Sequence, residues 1–196
     1  MPIKLPDASY ENSKQTVVNT LSIFGIRGFP INPFELAKRM GIVPKAYSTF
    51  PTQVKELMLK TSEDGFSTGL DNGKWDIFYN DEGCDATRIN YTIAHELGHI
   101  IVDHHTTSEV AEAEANFFGA YLLVPIPLVH VLGLTETVEI QSVFNVGFQV
   151  ARNSLNRYNK WLTCNEKAYL SYEIQLLQHF GYHQESRQPK KTSLVS

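Results

Sequence analysis

The stretch AHELGHI, residues 94–100, decides the fold expected for this chain because it contains the pattern HExxH. Side chains four residues apart in an α-helix lie on the same face, one turn apart. His95 and His99 can therefore direct two imidazole nitrogens at one metal ion, while Glu96 can reach a water at the open coordination position. Because the flanking residues are mostly apolar, we predict a helix packed inside a domain, from about residue 90 to 103.

Overall composition sets broad limits on the class of protein. The chain has 196 residues, of which 42% are hydrophobic, and a net charge of −4. This length suffices for one domain with its own core, or for such a domain with a small appendage. The charge gives no reason to expect nucleic acid or an anionic membrane as partner. Residues 1–14 contain no apolar run of a secretory signal, and no uninterrupted apolar stretch is long enough for a membrane span. We expect a cytoplasmic protein with no membrane partner.

The two cysteines, Cys84 and Cys164, form no CxxC pair and no disulfide framework. This usage is typical of a reducing compartment. Cys84 lies in the loop before the predicted metal-binding helix, where it could supply a fourth ligand or act as a thiol sensor. We favour a free thiol without either role.

Hydrophobic periodicity and turn signals predict a mixed α+β chain. An Asn72-Gly73 turn between residues 65–70 and 75–80 predicts a β-hairpin, and residues 42–47 can form an edge strand because they include a proline. The strand over 75–80 is either a core strand or a rim strand that holds an extended peptide by strand addition. Further helices are predicted over residues 10–24, 33–40, 51–60, 109–124, 136–144, 148–161 and 165–180.

The helices over 136–144 and 148–161 flank a short Asn/Gly turn, which is helix-turn-helix spacing. Arg152, Arg157 and Lys160 are the few basic residues of this pair, and no broad basic patch accompanies them. We therefore favour a structural or partner-docking role for the pair, and we expect no direct binding of nucleic acid.

A catalytic zinc site typically has three protein ligands, so a third ligand is needed beside the two histidines. His105 is six residues after His99, but this arrangement normally needs a glycine where Val102 stands, and His104 is a weaker candidate still. Glu112 and Glu114 follow on the next helix and point about 200° apart. Glu114 shares a face with large aromatic residues that we expect to pack on the HExxH helix. Glu114 is therefore our choice for the third ligand, and Glu112 is assigned to solvent.

Two blocks of this sequence resemble the ImmA/IrrE-type metallopeptidase family: RINYTIAHELGHII, residues 88–101, and EAEANFFGAYLLVP, residues 112–125. The stretch VFNVGFQVARNSL, residues 143–155, is similar to the helix-turn-helix-like segment of that family, although Gly147 and Ser154 depart from its pattern. The resemblance covers roughly residues 30–160.

The resemblance implies that His95, His99 and Glu114 bind Zn²⁺, with Mn²⁺ as the alternative, and that Glu96 is the catalytic residue. It implies a cytoplasmic endopeptidase whose protein substrate is a helix-turn-helix repressor or an antitoxin encoded nearby. Oxyanion donors would come from Tyr91, Tyr121 or His105, and Asp103 could orient a ligand imidazole. The rival hypothesis is a non-catalytic metal-binding regulator, or a module that binds protein or DNA through its C-terminal helices.

Together these patterns predict an α+β chain in three parts. Residues 1–133 would form a zincin-like metallopeptidase domain with a small sheet, the HExxH helix and the helix that carries the glutamate ligand. Residues 134–182 would form a helical, helix-turn-helix-like region packed on that domain, and residues 183–196 a flexible tail.

Overall fold

The computed structural model describes residues 3–104, 106, 108–164 and 169–182. These residues form mostly helices and a small three-stranded sheet, so the predicted α+β class is confirmed. His105 and the predicted tail, 183–196, lie outside the described residues. The helices found in the described part are α1 (Asp7–Ile23), α2 (Pro33–Arg39), α3 (Thr52–Thr61), α4 (Ala86–Val102), α5 (Glu109–Leu123), α6 (Ile126–Val131), α7 (Thr137–Phe144), α8 (Phe148–Cys164) and α9 (Ser171–His179).

The sheet contains β1 (Lys45–Ala46), β2 (Gly65–Gly69) and β3 (Trp75–Tyr79), in the order β1-β3-β2. Strands β2 and β3 form the predicted antiparallel hairpin, with Ser67 opposite Ile77. Strand β1 is parallel to β3 and lies at one edge, as predicted. Strand β3 is therefore central, which excludes the interpretation of this segment as a rim strand, and β2 lies at the other edge.

Side-chain caps explain where the two central helices begin. Ser108 Oγ accepts a hydrogen bond from the backbone N–H of Ala111 at 3.1 Å, so Ser108 is the residue that caps α5. Helix α4 begins about four residues earlier than predicted, because Asp85 caps it by accepting hydrogen bonds from the backbone N–H groups of Thr87 and Arg88. A capping carboxylate is also favoured by the positive end of the helix dipole.

Helices α4 and α5 pack closely because glycines lie at their contact. A Cβ atom at Gly119 would lie 3.0 Å from the backbone nitrogen of His95 and 3.1 Å from the carbonyl carbon of Ala94. A Cβ at Gly98 would lie 3.2 Å from Cα of Ala115. The two backbones therefore approach to a distance that larger residues at either glycine would prevent.

A third glycine places the hairpin against α4. A Cβ at Gly65 would lie 2.6 Å from Cγ2 of Thr92 and 2.7 Å from the carbonyl oxygen of Phe78. Real Cβ atoms do not come this close to other heavy atoms, so glycine is required at this position. Strand β2 consequently lies directly beside the HExxH helix.

Helices α7 and α8 form the predicted pair, joined by a turn in which Asn145 has a φ of 50°. The guanidinium of Arg157 lies over the ring of Phe117, 5.1 Å from its centroid. Arg157 therefore packs on α5 and is not presented to solvent as a phosphate contact, whereas Arg152 and Lys160 are exposed. The division of the chain after residue 133 remains a prediction.

The segment Glu109–Val131 is long and apolar enough, by length and composition, to cross a membrane. About 78% of its apolar window is buried within the protein. It comprises α5 and α6, which are separated at Pro125 and packed in the interior. Such burial is typical of a core helix. The sequence analysis considered only uninterrupted apolar stretches and therefore did not identify this segment.

Substitution of Gly119 by alanine tests the close contact between α4 and α5. The added methyl group gains about 1 kcal/mol of helix propensity but must push apart two backbones, and overpacking of this kind costs about 1–3 kcal/mol. We expect Gly119→Ala to lower the free energy of unfolding measured by urea denaturation. Gly28→Ala is the control, because a Cβ there meets nothing within 4 Å; equal stability of the two variants would contradict the contact.

Candidate metal centre

His95 and His99 lie one turn apart on α4, and their side chains meet at one point. The two Nε2 atoms are 3.1 Å apart, and the side chains are 16% and 14% exposed. Two imidazole nitrogens at this separation repel each other unless a proton or a cation lies between them. The pair can therefore share either a proton or a metal cation.

Glu112 supplies a carboxylate to the same point. Its Oε2 atom is 3.4 Å from Nε2 of His95, and its Oε1 atom is 3.4 Å from Nε2 of His99. The three residues form the group that could hold a metal ion among the described residues, since their ligand atoms all lie within 4.8 Å of one another. Glu112 was not the glutamate that the sequence analysis selected.

Glu114, the glutamate expected to be the third ligand, lies elsewhere. Its Oε2 atom is 3.1 Å from Nε2 of His104, and it does not belong to the group formed by the histidine pair. The choice of Glu114 assumed that the large aromatic residues of α5 face α4. Of the two phenylalanines there, Phe118 lies against α4, whereas Phe117 packs edge-on against Tyr10 of α1, with ring centroids 4.7 Å apart.

Small residues of α5 make its closest backbone contacts with α4, and the ring of Phe118 lies beside them against Gly98. Glu112 and Gly119 are seven residues apart and lie on the same face of the helix. Because Gly119 contacts the backbone of His95, this face brings Glu112 to the imidazoles. The signal that could have identified it was the glycine in the middle of each predicted buried helix.

The geometry of these three side chains fits a divalent cation. An ion about 2.0–2.1 Å from each ligand atom in a tetrahedral site keeps those atoms roughly 3.3 Å apart. The observed separations of 3.1, 3.4 and 3.4 Å are close to that value. Two imidazoles and a carboxylate are also a ligand set used by catalytic zinc sites, so the residues fit Zn²⁺.

The protonation states favour cation binding as well. Burial, together with the nearby His99, lowers the pKa of His95 to about 4. Burial also lowers the pKa of His99. Both imidazoles are consequently neutral at pH 7 and have a nitrogen lone pair available for a metal.

Glu96 is buried beside this group and is held by Ser67 of β2. The Ser67 hydroxyl donates to Oε2 of Glu96 at 2.7 Å, while Oε1 is 4.0 Å from Nε2 of His95. Burial raises the pKa of Glu96, and the hydroxyl and backbone of Ser67 oppose this by stabilising the carboxylate. The sequence analysis missed Ser67, because its position depends on how the hairpin packs on α4.

The group opens into a cleft of about 1010 Å³. Strand β2 and the hairpin turn form one side of this cleft, and α4 with the start of α5 forms the other. The cleft is large enough for a segment of peptide. The lining includes the three metal-binding candidates and Glu96.

Tyr91 lies in the cleft, and Tyr121 does not. The Tyr91 ring is 6.4 Å from the His95 ring between centroids, and its hydroxyl donates to Oδ1 of Asn116 at 3.0 Å. Tyr121 is only 2% exposed, packs on Phe117, and burial raises its pKa well above the usual value. Because Tyr121 points into the core, it cannot act as the oxyanion donor for which it was a candidate.

Asp103 and His104 follow α4 and also line the cleft. Asp103 is the residue after the helix and has a φ of 64°. His104 is 10% exposed and contacts both His99 and Glu114. It was considered only as a weak ligand candidate, whereas the structure gives it two specific partners.

Cys84 is a free, half-buried thiol in the loop before α4. It is not a member of the group of ligand atoms found among the described residues. The expectation of a free thiol therefore agrees with its position, and nothing in the described part of the chain supports a fourth, thiolate ligand.

Comparison with known protein families gives one match. The model of the family Peptidase_M78, described as the IrrE N-terminal-like domain, matches residues 52–156. This stretch begins with α3 and includes the hairpin, α4, α5 and the first half of α8. No curated protein matches the chain.

Removal of each glutamate in turn identifies the third ligand. We expect Glu112→Ala to lower the affinity for Zn²⁺ by more than about a hundredfold. This exceeds the loss that is typical when a residue that only orients a metal ligand is removed. Glu114→Ala should have a much smaller effect. Competition with a chromophoric chelator measures both affinities, and the reverse order of effects would assign the site to Glu114.

Proposed function

Because the chain belongs to the IrrE N-terminal-like peptidase family, Peptidase_M78, we propose that it is a zinc-dependent endopeptidase that hydrolyses a regulatory protein. His95, His99 and Glu112 would bind the metal, and Glu96 would be the catalytic base. The observation that carries this proposal is the position of Oε1 of Glu96, which lies 4.0 Å from Nε2 of His95, one of the candidate ligand atoms.

Each oxygen of the Glu96 carboxylate has a separate task in this proposal. Oε2 is fixed by the hydrogen bond from Ser67, so the carboxylate cannot rotate freely. Oε1 remains available to accept a proton from a water molecule that attacks the scissile carbonyl. The same oxygen can then deliver that proton to the leaving amine.

The metal would supply the electrophilic part of the chemistry. When bound, a divalent cation acidifies water toward a pKa of about 7 and polarises the scissile carbonyl. Tyr91 is the remaining oxyanion-donor candidate in the cleft among the described residues. Its hydroxyl now donates to Asn116 and would have to turn toward the substrate.

The edge of β2 provides a site for an extended substrate. The backbone N–H of Leu70 bonds to Lys74 and that of Asn80 bonds to Asp64, and bonded pairs alternate in an antiparallel ladder. The backbone groups of Ser67 and Gly69 therefore point away from β3, toward the cleft. A peptide can add to this edge as a further strand, with its scissile bond near Glu96.

The substrate proposal follows the family resemblance. We propose that the substrate is a helix-turn-helix repressor or an antitoxin encoded near this protein, and that the reaction takes place in the cytoplasm. Strand addition requires an extended segment, so a linker or a locally unfolded stretch of such a regulator is the expected cleavage site. Incubation with purified regulators from neighbouring genes, followed by mass spectrometry, tests this part.

Glu96→Gln tests the catalytic base. The amide keeps the size of the side chain and can still accept from Ser67, but it cannot take up a proton. We expect turnover to fall by about 10²–10⁴-fold, with zinc content and the far-ultraviolet circular dichroism spectrum unchanged. Cleavage at the wild-type rate by the zinc-loaded variant would exclude Glu96 from the reaction.

Substitutions of Gly69 test the proposed strand addition. Proline removes the N–H that points into the cleft, whereas alanine keeps it and adds a Cβ in ordinary contact with Trp75, at 3.7 Å. One lost hydrogen bond of about 1 kcal/mol should raise KM for a cleaved peptide about fivefold in Gly69→Pro, with a smaller change in kcat. Gly69→Ala should retain the wild-type KM; equal KM values for both variants would count against binding at this edge.

A further inference from the structure

Three side chains form a continuous hydrogen-bonded chain behind the metal centre. Nδ1 of His99 is 3.0 Å from Nδ1 of His104, and Nε2 of His104 is 3.1 Å from Oε2 of Glu114. The exposed fractions of the His104 and Glu114 side chains are 10% and 21%. This chain leads from the outer nitrogen of His99 to a carboxylate on the next helix.

The backbone after α4 is shaped to produce this contact. Asp103 adopts the left-handed conformation that commonly ends a helix, and the N–H of His104 bonds back to the carbonyl of His99 at 3.0 Å. His104 is thereby returned over the last turn of α4. Its ring lies 5.1 Å from the His99 ring between centroids, at an interplanar angle of 72°.

We propose that His104 and Glu114 are positioning residues that fix the tautomer of His99. The Nε2 atom of His99 faces His95 and Glu112, so it must be unprotonated to bind a cation there. The proton of neutral His99 must then be on Nδ1, where it needs an acceptor. Nδ1 of His104 is the acceptor within reach among the described residues.

Glu114 determines the direction of both hydrogen bonds, from His99 to His104 and from His104 to Glu114. An ionised carboxylate only accepts hydrogen bonds, so His104 must donate to it from Nε2. Neutral His104 then has an unprotonated Nδ1, which accepts from His99. The carboxylate of Glu114 thus leaves the lone pair of His99 Nε2 directed at the metal centre, although it does not touch the metal itself.

This inference rests on the metal centre of the proposed function but not on the hydrolytic reaction. It also gives a role to the glutamate that the sequence analysis had selected as a ligand. Partners that orient a ligand imidazole typically change metal affinity by about 10–100-fold. Metal binding and the tautomer of His99 can both be measured without a substrate.

The decisive variant is His104→Phe, which retains a ring of similar size but removes both hydrogen bonds. We expect its affinity for Zn²⁺, measured by competition with a chromophoric chelator, to fall about 10–100-fold. Glu114→Ala, which breaks the chain without touching His99, should lose about tenfold. His104→Gln can accept with its oxygen and donate with its nitrogen, so it should recover most of the affinity.

Side-chain ¹⁵N NMR of the metal-free protein distinguishes positioning from simple support of the fold. The wild-type protein should show His99 protonated on Nδ1, and His104→Phe should show a mixture of the two tautomers. Glu109→Ala is the matched control, because it removes an exposed carboxylate of the same helix; its zinc affinity and His99 tautomer should equal those of the wild type.

The outcomes separate this inference from the proposed function. If His104→Phe and Glu114→Ala both bind Zn²⁺ as tightly as the wild type, the positioning role of His104 and Glu114 is wrong and the metal centre stands. If the wild type takes up no divalent cation, the proposed function and the positioning role of His104 and Glu114 are both overturned. Thermal unfolding of the metal-free variants identifies any that fail to fold, and Glu114→Ala then provides the test.

Discussion

The direct backbone contact between α4 and α5 is the constraint on which the candidate site depends. Gly119 lies against the backbone of His95, and Gly98 lies against the backbone of Ala115 and the ring of Phe118, so the two helices approach closely there. A contact of this kind determines the rotation of each helix about its axis as well as the distance between them. It therefore decides which glutamate of α5 reaches the imidazoles, and Glu112 is the one that does.

A second close contact positions Glu96, the proposed catalytic base. Gly65 brings β2 against Thr92, and this places Ser67 within hydrogen-bonding distance of Glu96. Burial alone would favour the protonated form of Glu96, whereas Ser67 stabilises the carboxylate that a general base requires. Helix α4 thus meets the candidate third ligand on α5 and the hydrogen-bond partner of Glu96 on β2.

How much of this could be predicted from the sequence depends on the range of the interaction concerned. The spacing of His95 and His99 and the Asn-Gly hairpin are local features, and both elements appear where they were expected. The choice between Glu112 and Glu114 depended on which face of α5 meets α4. The large aromatic side chains suggested one face, but the close contact uses the small residues. Ser67 is 29 residues before Glu96, and no local pattern connects the two.

The distinction between local and long-range contacts also separates the candidate ligands on α4 and α5 from the β2 edge of the hairpin. The three candidate ligands come from consecutive helices that are six residues apart in the sequence, so the residues that would bind metal are near one another along the chain. Two neutral imidazoles and a carboxylate at these distances direct their lone pairs at one point, which favours a proton or a cation between them. A cation bound there would link α4 to α5 at the point where the glycines already bring them together, so its binding free energy would add to the stability of that contact. Among the described residues the hairpin contributes no member to this group, so its β2 edge remains available for the proposed strand addition of a substrate.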